Sequence, residues 1–340
     1  MLGPSETGSR GQASFSTNSM IIFARFLFFG EWEIIISSCS RETRELSVSD
    51  LAMSDLATAR APERSAILET DLRMFSAGEL PWDDDRDFAD LVMGRRIAVV
   101  GPARTLIGRN RGDWINSHDL IVRFNEAFTY LKRSEALPAD LGSRTDVLYC
   151  NQVVLRKNIL DGISAKRHFI TFANKSNLKY AVCTNNSLSY DNEGTPSVRC
   201  EKKDMDVPKR FARFLGNKVP GAKLRVVTTA SALIMKWLNG NWGRTGFVAL
   251  VDLLGHRPAH LSIAGMTFYH GGGHLAAKGL DLHPRSNRDG TSSTSPEGLG
   301  HDSHIELEIF RRMTKIFRPM LEIDQDLIGV LNETVGDART

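Results

Sequence analysis

From about residue 88 onward, short apolar runs alternate with stretches in which apolar residues recur at helical spacing. Arg96-Ile-Ala-Val-Val-Gly101 is a compact apolar run closed by glycine, the pattern of a buried strand that turns into a helix. Leu120-Ile-Val-Arg-Phe-Asn125, Asp146-Val-Leu-Tyr149 and His168-Phe-Ile-Thr-Phe172 read as the next three strands, followed by Leu224-Arg-Val-Val227 and His260-Leu-Ser-Ile-Ala-Gly265. Helical patterns cover Ala230 to Leu238, Gly246 to Leu254 and, with a clear amphipathic period, Ser303 to Phe317. Strands alternating with helices predict an α/β fold: a Rossmann-like, mostly parallel sheet with helices on both faces. In such sheets ligands bind beyond the carboxyl ends of the strands.

The first fifty residues have a different character. Residues 1 to 19 are rich in Ser, Gly and Thr, the composition of a disordered tail. The apolar run Met20 to Phe29 is interrupted by Arg25 and stopped by Gly30 and Glu31, and it is too short for a hydrocarbon layer of about 30 Å. It also lacks the flanks of a signal peptide. Residues 1–52 therefore read as a disordered or upstream extension, residues 53–92 as a helical lead-in, and residues 93–335 as a single domain. Two polar breaks interrupt that domain, from Tyr190 to Val207 and from Gly271 to Gly300, the second long enough to serve as a lid or to be disordered.

Composition narrows the choice of partner. Forty-three basic and forty acidic residues leave a net charge of +3, too small and dispersed for a nucleic-acid binder, so a small-molecule substrate is expected. Cys39, Cys150, Cys183 and Cys200 show neither a C-x-x-C pair nor metal-ligand spacing, and unpaired thiols in a reducing compartment are the simplest reading. Asp83-Asp-Asp85 lies before the core, next to Pro81-Trp82, and reads as an acidic helix start rather than a metal-holding pair.

Three separated stretches carry candidate chemistry. The first runs from Arg96 to Gln152 and includes Val-Val-Gly101, Asn-Ser-His-Asp119, Val-Arg-Phe-Asn125 and Ala-Asp-Leu-Gly-Ser-Arg-Thr145. A glycine after a strand lets backbone amides approach a phosphate, although many α/β proteins share that feature. The second is Gly243-Arg-Thr-Gly246 opening an apolar helix, where unpaired amides and the helix dipole favour an anion; a plain Thr cap is the ordinary alternative. The third is His301-Asp-Ser-His-Ile-Glu306, a histidine five positions before a glutamate. Histidine suits a general base because its ordinary pKa, about 6.5, lies near working pH.

In order and spacing these stretches resemble the large, small and very small motifs of the animal-type sialyltransferases, glycosyltransferase family 29. The resemblance implies a variant of the GT-A fold and inverting transfer of sialic acid, or a related keto sugar acid, from a CMP donor to a glycan hydroxyl. It assigns donor contacts to Gly101, Asn125 and Asn151 and to the helix start at Arg244, Thr245 and Gly246. His301 becomes the base, with His304 second, and Glu306 supports the same helix start. A further motif, His beside an aromatic, falls at Phe268-Tyr-His270. His270 is the first candidate to stabilise the departing CMP phosphate, ahead of His274 and His283. No metal or other cofactor is implied, the donor being CMP-sialic acid or CMP-Kdo.

The departures matter as much. Gly243 and Arg244 stand where the family's Pro-Ser-Ser/Thr-Gly turn has Pro and Ser, and Arg244 either pairs with the donor carboxylate or points into solvent. Pro102-Ala103 follows Gly101 where an Asn or Ser is common. Ile97 occupies the place of the family's first disulfide cysteine, and no Cys follows Cys200. These point to a bacterial or otherwise non-animal member, cytoplasmic or associated peripherally with an inner membrane, with a Golgi membrane as the alternative. The expected partners are a CMP-sugar donor and a glycan acceptor, without nucleic acid. A Kdo transferase of the same fold and a non-catalytic CMP-sugar or glycan binder remain the competing readings.

Overall fold

The computed structural model describes residues 21–26, 32–37, 61–80, 82, 85–131, 137–184, 189–190, 196–197, 206–238, 242–268, 275 and 303–336. Seven parallel strands form the central sheet: β1 (Arg96–Val100), β2 (Leu120–Phe124), β3 (Val147–Asn151), β4 (Tyr180–Thr184), β5 (Lys223–Val227), β6 (His260–Ala264) and β7 (Leu321–Ile323). Their order is β7-β6-β1-β2-β3-β4-β5, so the chain runs outward from β1 to β5 and then returns to the other side of β1. That reversal leaves β1 at the switch point, where open α/β sheets place their ligand crevice. Apart from this sheet, Ile21–Phe26 pairs antiparallel with Trp32–Ser37.

Successive strand residues point to opposite faces, and each face has its own core. Ile97, Val99, Val122, Tyr149, Val182 and Ile263 point toward α1 (Ala61–Ala77), α2 (Arg86–Val92), α8 (Thr229–Trp237), α9 (Thr245–Gly255), α10 (Ser303–Ile316) and α11 (Gln325–Gly336). Ala98, Val100, Ile121, Leu148, Cys150, Ala181 and Cys183 point the other way. There they meet α3 (Gly112–Asn116), α4 (Ala127–Tyr130), α5 (Leu137–Leu141), the π-helical segment Val154–Leu160, α6 (Ile163–Ser176) and α7 (Val207–Lys218). Burial on both faces is why these strands read as continuous apolar runs rather than as alternation. Helix α9 is buried on every side from Phe247 to Leu254, which makes it the spine of the first core.

One strand expected from the sequence is a helix. His168 to Phe172 lies inside α6, whose Phe169, Ala173 and Ser176 are buried at i, i+4 and i+7. The helix ends at Asn177 in the left-handed conformation, with its N–H bonded to the carbonyls of Ala173 and Asn174. The true fourth strand is Tyr180–Thr184. A run of aromatic and β-branched residues looks like a strand locally, and tertiary packing overrides that preference. The acidic helix start does hold: the Asp85 carboxylate accepts from Phe88 N at 3.1 Å and caps α2.

Cys150 and Cys183 sit opposite each other on β3 and β4 as buried free thiols. Burial pushes the Cys183 thiol up to about 12 and that of Cys150 well above its ordinary value, so both act as small apolar side chains.

At the other edge, buried His118 places Nδ1 on the Trp114 and Ile115 carbonyls and Nε2 2.9 Å from Ser262 Oγ, which donates to Glu322. Burial holds the His118 pKa below the ordinary histidine value, against its backbone carbonyl contacts. Burial raises Glu322, but hydrogen bonds from His260 and Ser262 outweigh it and hold that carboxylate low. Both groups bind protons more readily in the unfolded chain, so both withdraw stability as pH falls, His118 first. The thermal midpoint is expected to drop between pH 7.5 and 5, and His118→Gln should make that drop shallower. An unchanged profile in the variant would remove His118 from the effect.

Candidate active site at the carboxyl ends of the strands

The residues of the large motif divide into those that brace loops and those that stand at strand ends. Buried Asp140 accepts from Gly108 N and Asn110 N, each at 2.8 Å, and ties the loop after β1 to α5. Asp119 accepts from Arg96 N at 2.8 Å at the start of β1. Fully buried Arg123 donates Nε to Thr145 Oγ1 at 3.0 Å and Nη2 to the carbonyls of Leu141 and Gly142. Gly142 has φ +70°, and a Cβ there would lie 2.7 Å from Asn116 Oδ1. Asp119, Arg123, Asp140, Gly142 and Thr145 thus brace the loops beside β1, β2 and β3.

Gly101, Asn125 and Asn151 stand at the carboxyl ends of β1, β2 and β3. Gly101 N donates to Ala264 O at 2.7 Å, and a Cβ on Gly101 would approach Gly265 O to 2.1 Å. Glycine is therefore required by the close passage of β1 against β6, whatever else its amides meet. Asn125 adopts the left-handed conformation, φ +46°, which an Asn tolerates better than most residues. Its N–H donates to Tyr149 O at 2.7 Å and its Oδ1 accepts from Asn151 N at 3.0 Å. Asn151 Oδ1 in turn accepts from Val154 N at 2.8 Å and starts the π-helical segment. Both asparagines are half-buried, and each uses its side-chain oxygen to hold the strand ends.

The second stretch comes to the same place. Met266, just past β6, contacts the glycines of both motifs: a Cβ at Gly101 would lie 2.7 Å from its Cγ, and one at Gly246 2.9 Å from its Cε. Phe124 Cε2 is 3.7 Å from the same position on Gly246. The N-terminus of α9, with buried Thr245 at its first position, therefore adjoins the ends of β1, β2 and β6. Arg244 is the N-cap residue and is not solvent-directed. Its backbone N donates to Glu306 Oε1 at 2.7 Å, and its Nη1 donates to Glu306 Oε2 at 3.2 Å. Glu306 is fully buried in the first turn of α10.

His301, His270, His274 and His283 lie outside the described residues, and of His304 only its place in α10 is described. Leu275, directly after His274, donates its N–H to Pro102 O at 2.8 Å, so the chain beyond β6 touches the Gly101 turn.

Sequence reasoning missed Met266, the hinge between the two glycines, because an apolar residue after a strand carries no chemical signal. It also missed Asp324. That carboxylate accepts from Gly265 N at 2.6 Å and from Leu327 N at 2.8 Å, fixing the β6 exit while capping α11. An aspartate before Gln-Asp-Leu was a legible cap signal. Among the described residues no helix is long and apolar enough to cross a membrane.

Comparison with known proteins gives a consistent set of likenesses. A relative from rice, Oryza sativa subsp. indica, described as sialyltransferase-like protein 2, is 38% identical over 91 residues, 26% of this chain and 20% of the relative. The matched stretch thus spans a fifth of that relative's length. A mammalian sialyltransferase solved with Gal-beta-1-3GalNAc-ortho-nitrophenol is 16% identical, with 79% of this chain and 88% of that one covered at a TM-score of 0.40. The Campylobacter jejuni sialyltransferase CstII, solved with cytidine-5'-monophosphate, is 10% identical, with coverages of 69% and 87% and a TM-score of 0.37. Residues 83–190, which build β1 to β4 and carry Gly101, Asn125 and Asn151, match the model of glycosyltransferase family 29 (sialyltransferase), the family that the motifs resemble.

Proposed function

We propose that the chain transfers sialic acid, or a closely similar keto sugar acid, from its CMP donor to a glycan hydroxyl with inversion. The observation that carries this reading is the family match over residues 83–190, because that segment ends three neighbouring parallel strands in Gly101, Asn125 and Asn151 at the switch point of the sheet. With each Oδ1 engaged by a backbone N–H, the Nδ2 groups of Asn125 and Asn151 can donate to a nucleotide. The adjoining N-terminus of α9, opened by Thr245 and Gly246, offers amides and a positive dipole end to the donor's carboxylate. In this reading His301 takes the proton from the acceptor hydroxyl and His270 faces the leaving phosphate.

Release of CMP from CMP-sialic acid, with and without a panel of glycan acceptors, tests the proposal. Turnover of CMP-sialic acid is the expected result. Preference for CMP-Kdo in the same assay would reassign the donor, and CMP binding without any turnover would make the chain a binder. Within the site, Asn125→Ala is expected to weaken CMP binding by about 1 to 3 kcal/mol, the effect of leaving buried partners unmatched. Unchanged affinity by calorimetry would exclude Asn125 from the donor site.

A further inference from the structure

The N-cap side chain of helix α9 makes no capping hydrogen bond. That N-cap residue, Arg244, is extended at φ −64°, ψ 148°. In a local capping box a glutamate three residues on would reach back to the N-cap N–H, but Phe247 occupies that position. Glu306, sixty-two residues later, makes the bond instead, through Oε1 at 2.7 Å. Its other oxygen accepts from the Arg244 guanidinium at 3.2 Å. The Glu306 side chain is 0% exposed and that of Arg244 12%, so the carboxylate is buried with its balancing charge beside it. Removing one member of such a pair leaves a charge stranded in a low-dielectric interior.

The geometry has a consequence for chemistry. One residue grips both oxygens of one carboxylate, once by backbone and once by side chain, which fixes the direction of the Glu306 side chain as well as its distance. Glu306 lies in the first turn of α10, which begins at Ser303, two positions after His301. Thr245 and Gly246, the candidate donor contacts, follow Arg244 directly. Resting on the sialyl-transfer reading above, we propose that Arg244 is a positioning residue: through Glu306 it holds the start of α10, two positions after His301 in sequence, against the end of α9 that opens with Thr245 and Gly246. In that role its guanidinium serves the protein's own carboxylate rather than that of the donor.

Steady-state kinetics on the full chain with CMP-sialic acid and an acceptor separate the possibilities. Arg244→Ala and Glu306→Gln are expected to lower kcat by about 10- to 100-fold, the effect of displacing a catalytic group by roughly 1 Å. The donor KM and the Kd for CMP should change by less than about threefold, the pattern of an interaction that matters only in the transition state. Arg244→Lys should recover most of the rate. The double variant Arg244→Ala/Glu306→Gln should be no slower than the slower single variant, because the two residues act as one unit. If Arg244→Ala does not fold, Glu306→Gln and Arg244→Lys carry the same comparison, with CMP binding as the check on folding. A raised donor KM at unchanged kcat would place Arg244 on the donor and overturn the proposal, as would unchanged kinetics. A parent chain that binds CMP but turns over neither donor overturns the sialyl-transfer reading itself, a result read before any variant is made.

Discussion

His301→Ala is expected to fold, to bind CMP about as well as the parent and to transfer sugar at least about a hundredfold more slowly. A keto sugar acid carries no hydrogen on its anomeric carbon, and CMP leaves as that carbon gains oxocarbenium character. Attack from the opposite side needs a base on the incoming hydroxyl. Removing a general base typically lowers the rate by a hundred- to ten-thousandfold while substrate binding survives. His304→Ala, three positions later in the sequence, should be nearly silent. Exchanged phenotypes would mean that the His-x-x-x-x-Glu spacing has been read in the wrong register. If both variants are silent, the base lies elsewhere.

The largest expected effect on stability is at Asp252. This residue sits in the middle of α9 with no exposure, and its carboxylate accepts from Arg225 Nη1 at 2.5 Å, from Arg225 Nη2 at 3.0 Å and from Tyr149 Oη at 2.6 Å. Arg225 also lies over the Phe88 ring at 4.4 Å and reaches His256 Nε2 at 3.1 Å. Asp252→Ala would leave the buried guanidinium only the more distant, partly exposed Asp85 carboxylate, 3.6 Å from Nε, and is expected to cost about 3 to 5 kcal/mol, lowering the thermal midpoint by about 10 °C. The matched apolar replacement Arg225→Met/Asp252→Leu should recover more than half of that loss, because neither charge is then buried alone. A scan in which Asp252→Ala melts within about 2 °C of the parent would show the pair to be dispensable.

The large motif illustrates how one stretch of sequence serves two ends. Asp119, Arg123, Asp140 and Thr145 are charged or polar, which makes them look like chemistry, yet each is engaged in holding backbone together. Asn125 and Asn151 also hold backbone, through their oxygens, but at half-buried strand ends. Residue type alone did not separate these groups. Position relative to the strand ends did.

Fold class followed from the sequence by itself, because strands buried on both faces must be continuous apolar runs and their connecting helices must show helical spacing. The runs ending at Gly101, Asn125 and Tyr149 marked β1, β2 and β3 to within two residues, and Gly246 to Leu254 marked α9. The same local logic failed at His168 to Phe172, where short-range preference for a strand lost to the burial of Phe169 and Ala173 on one helical face. Tertiary structure alone decided the partner of Arg244. Whether that guanidinium met a ligand, solvent or a carboxylate depended on a residue sixty-two positions away, and no local pattern encodes a contact that forms only when α10 packs against α9. The Arg225–Asp252 pair and the meeting of Gly101 and Gly246 on Met266 were hidden for the same reason. Periodicity reports which face of an element is buried, whereas the pairing of charges and the close passage of backbones are set by how separate elements stack.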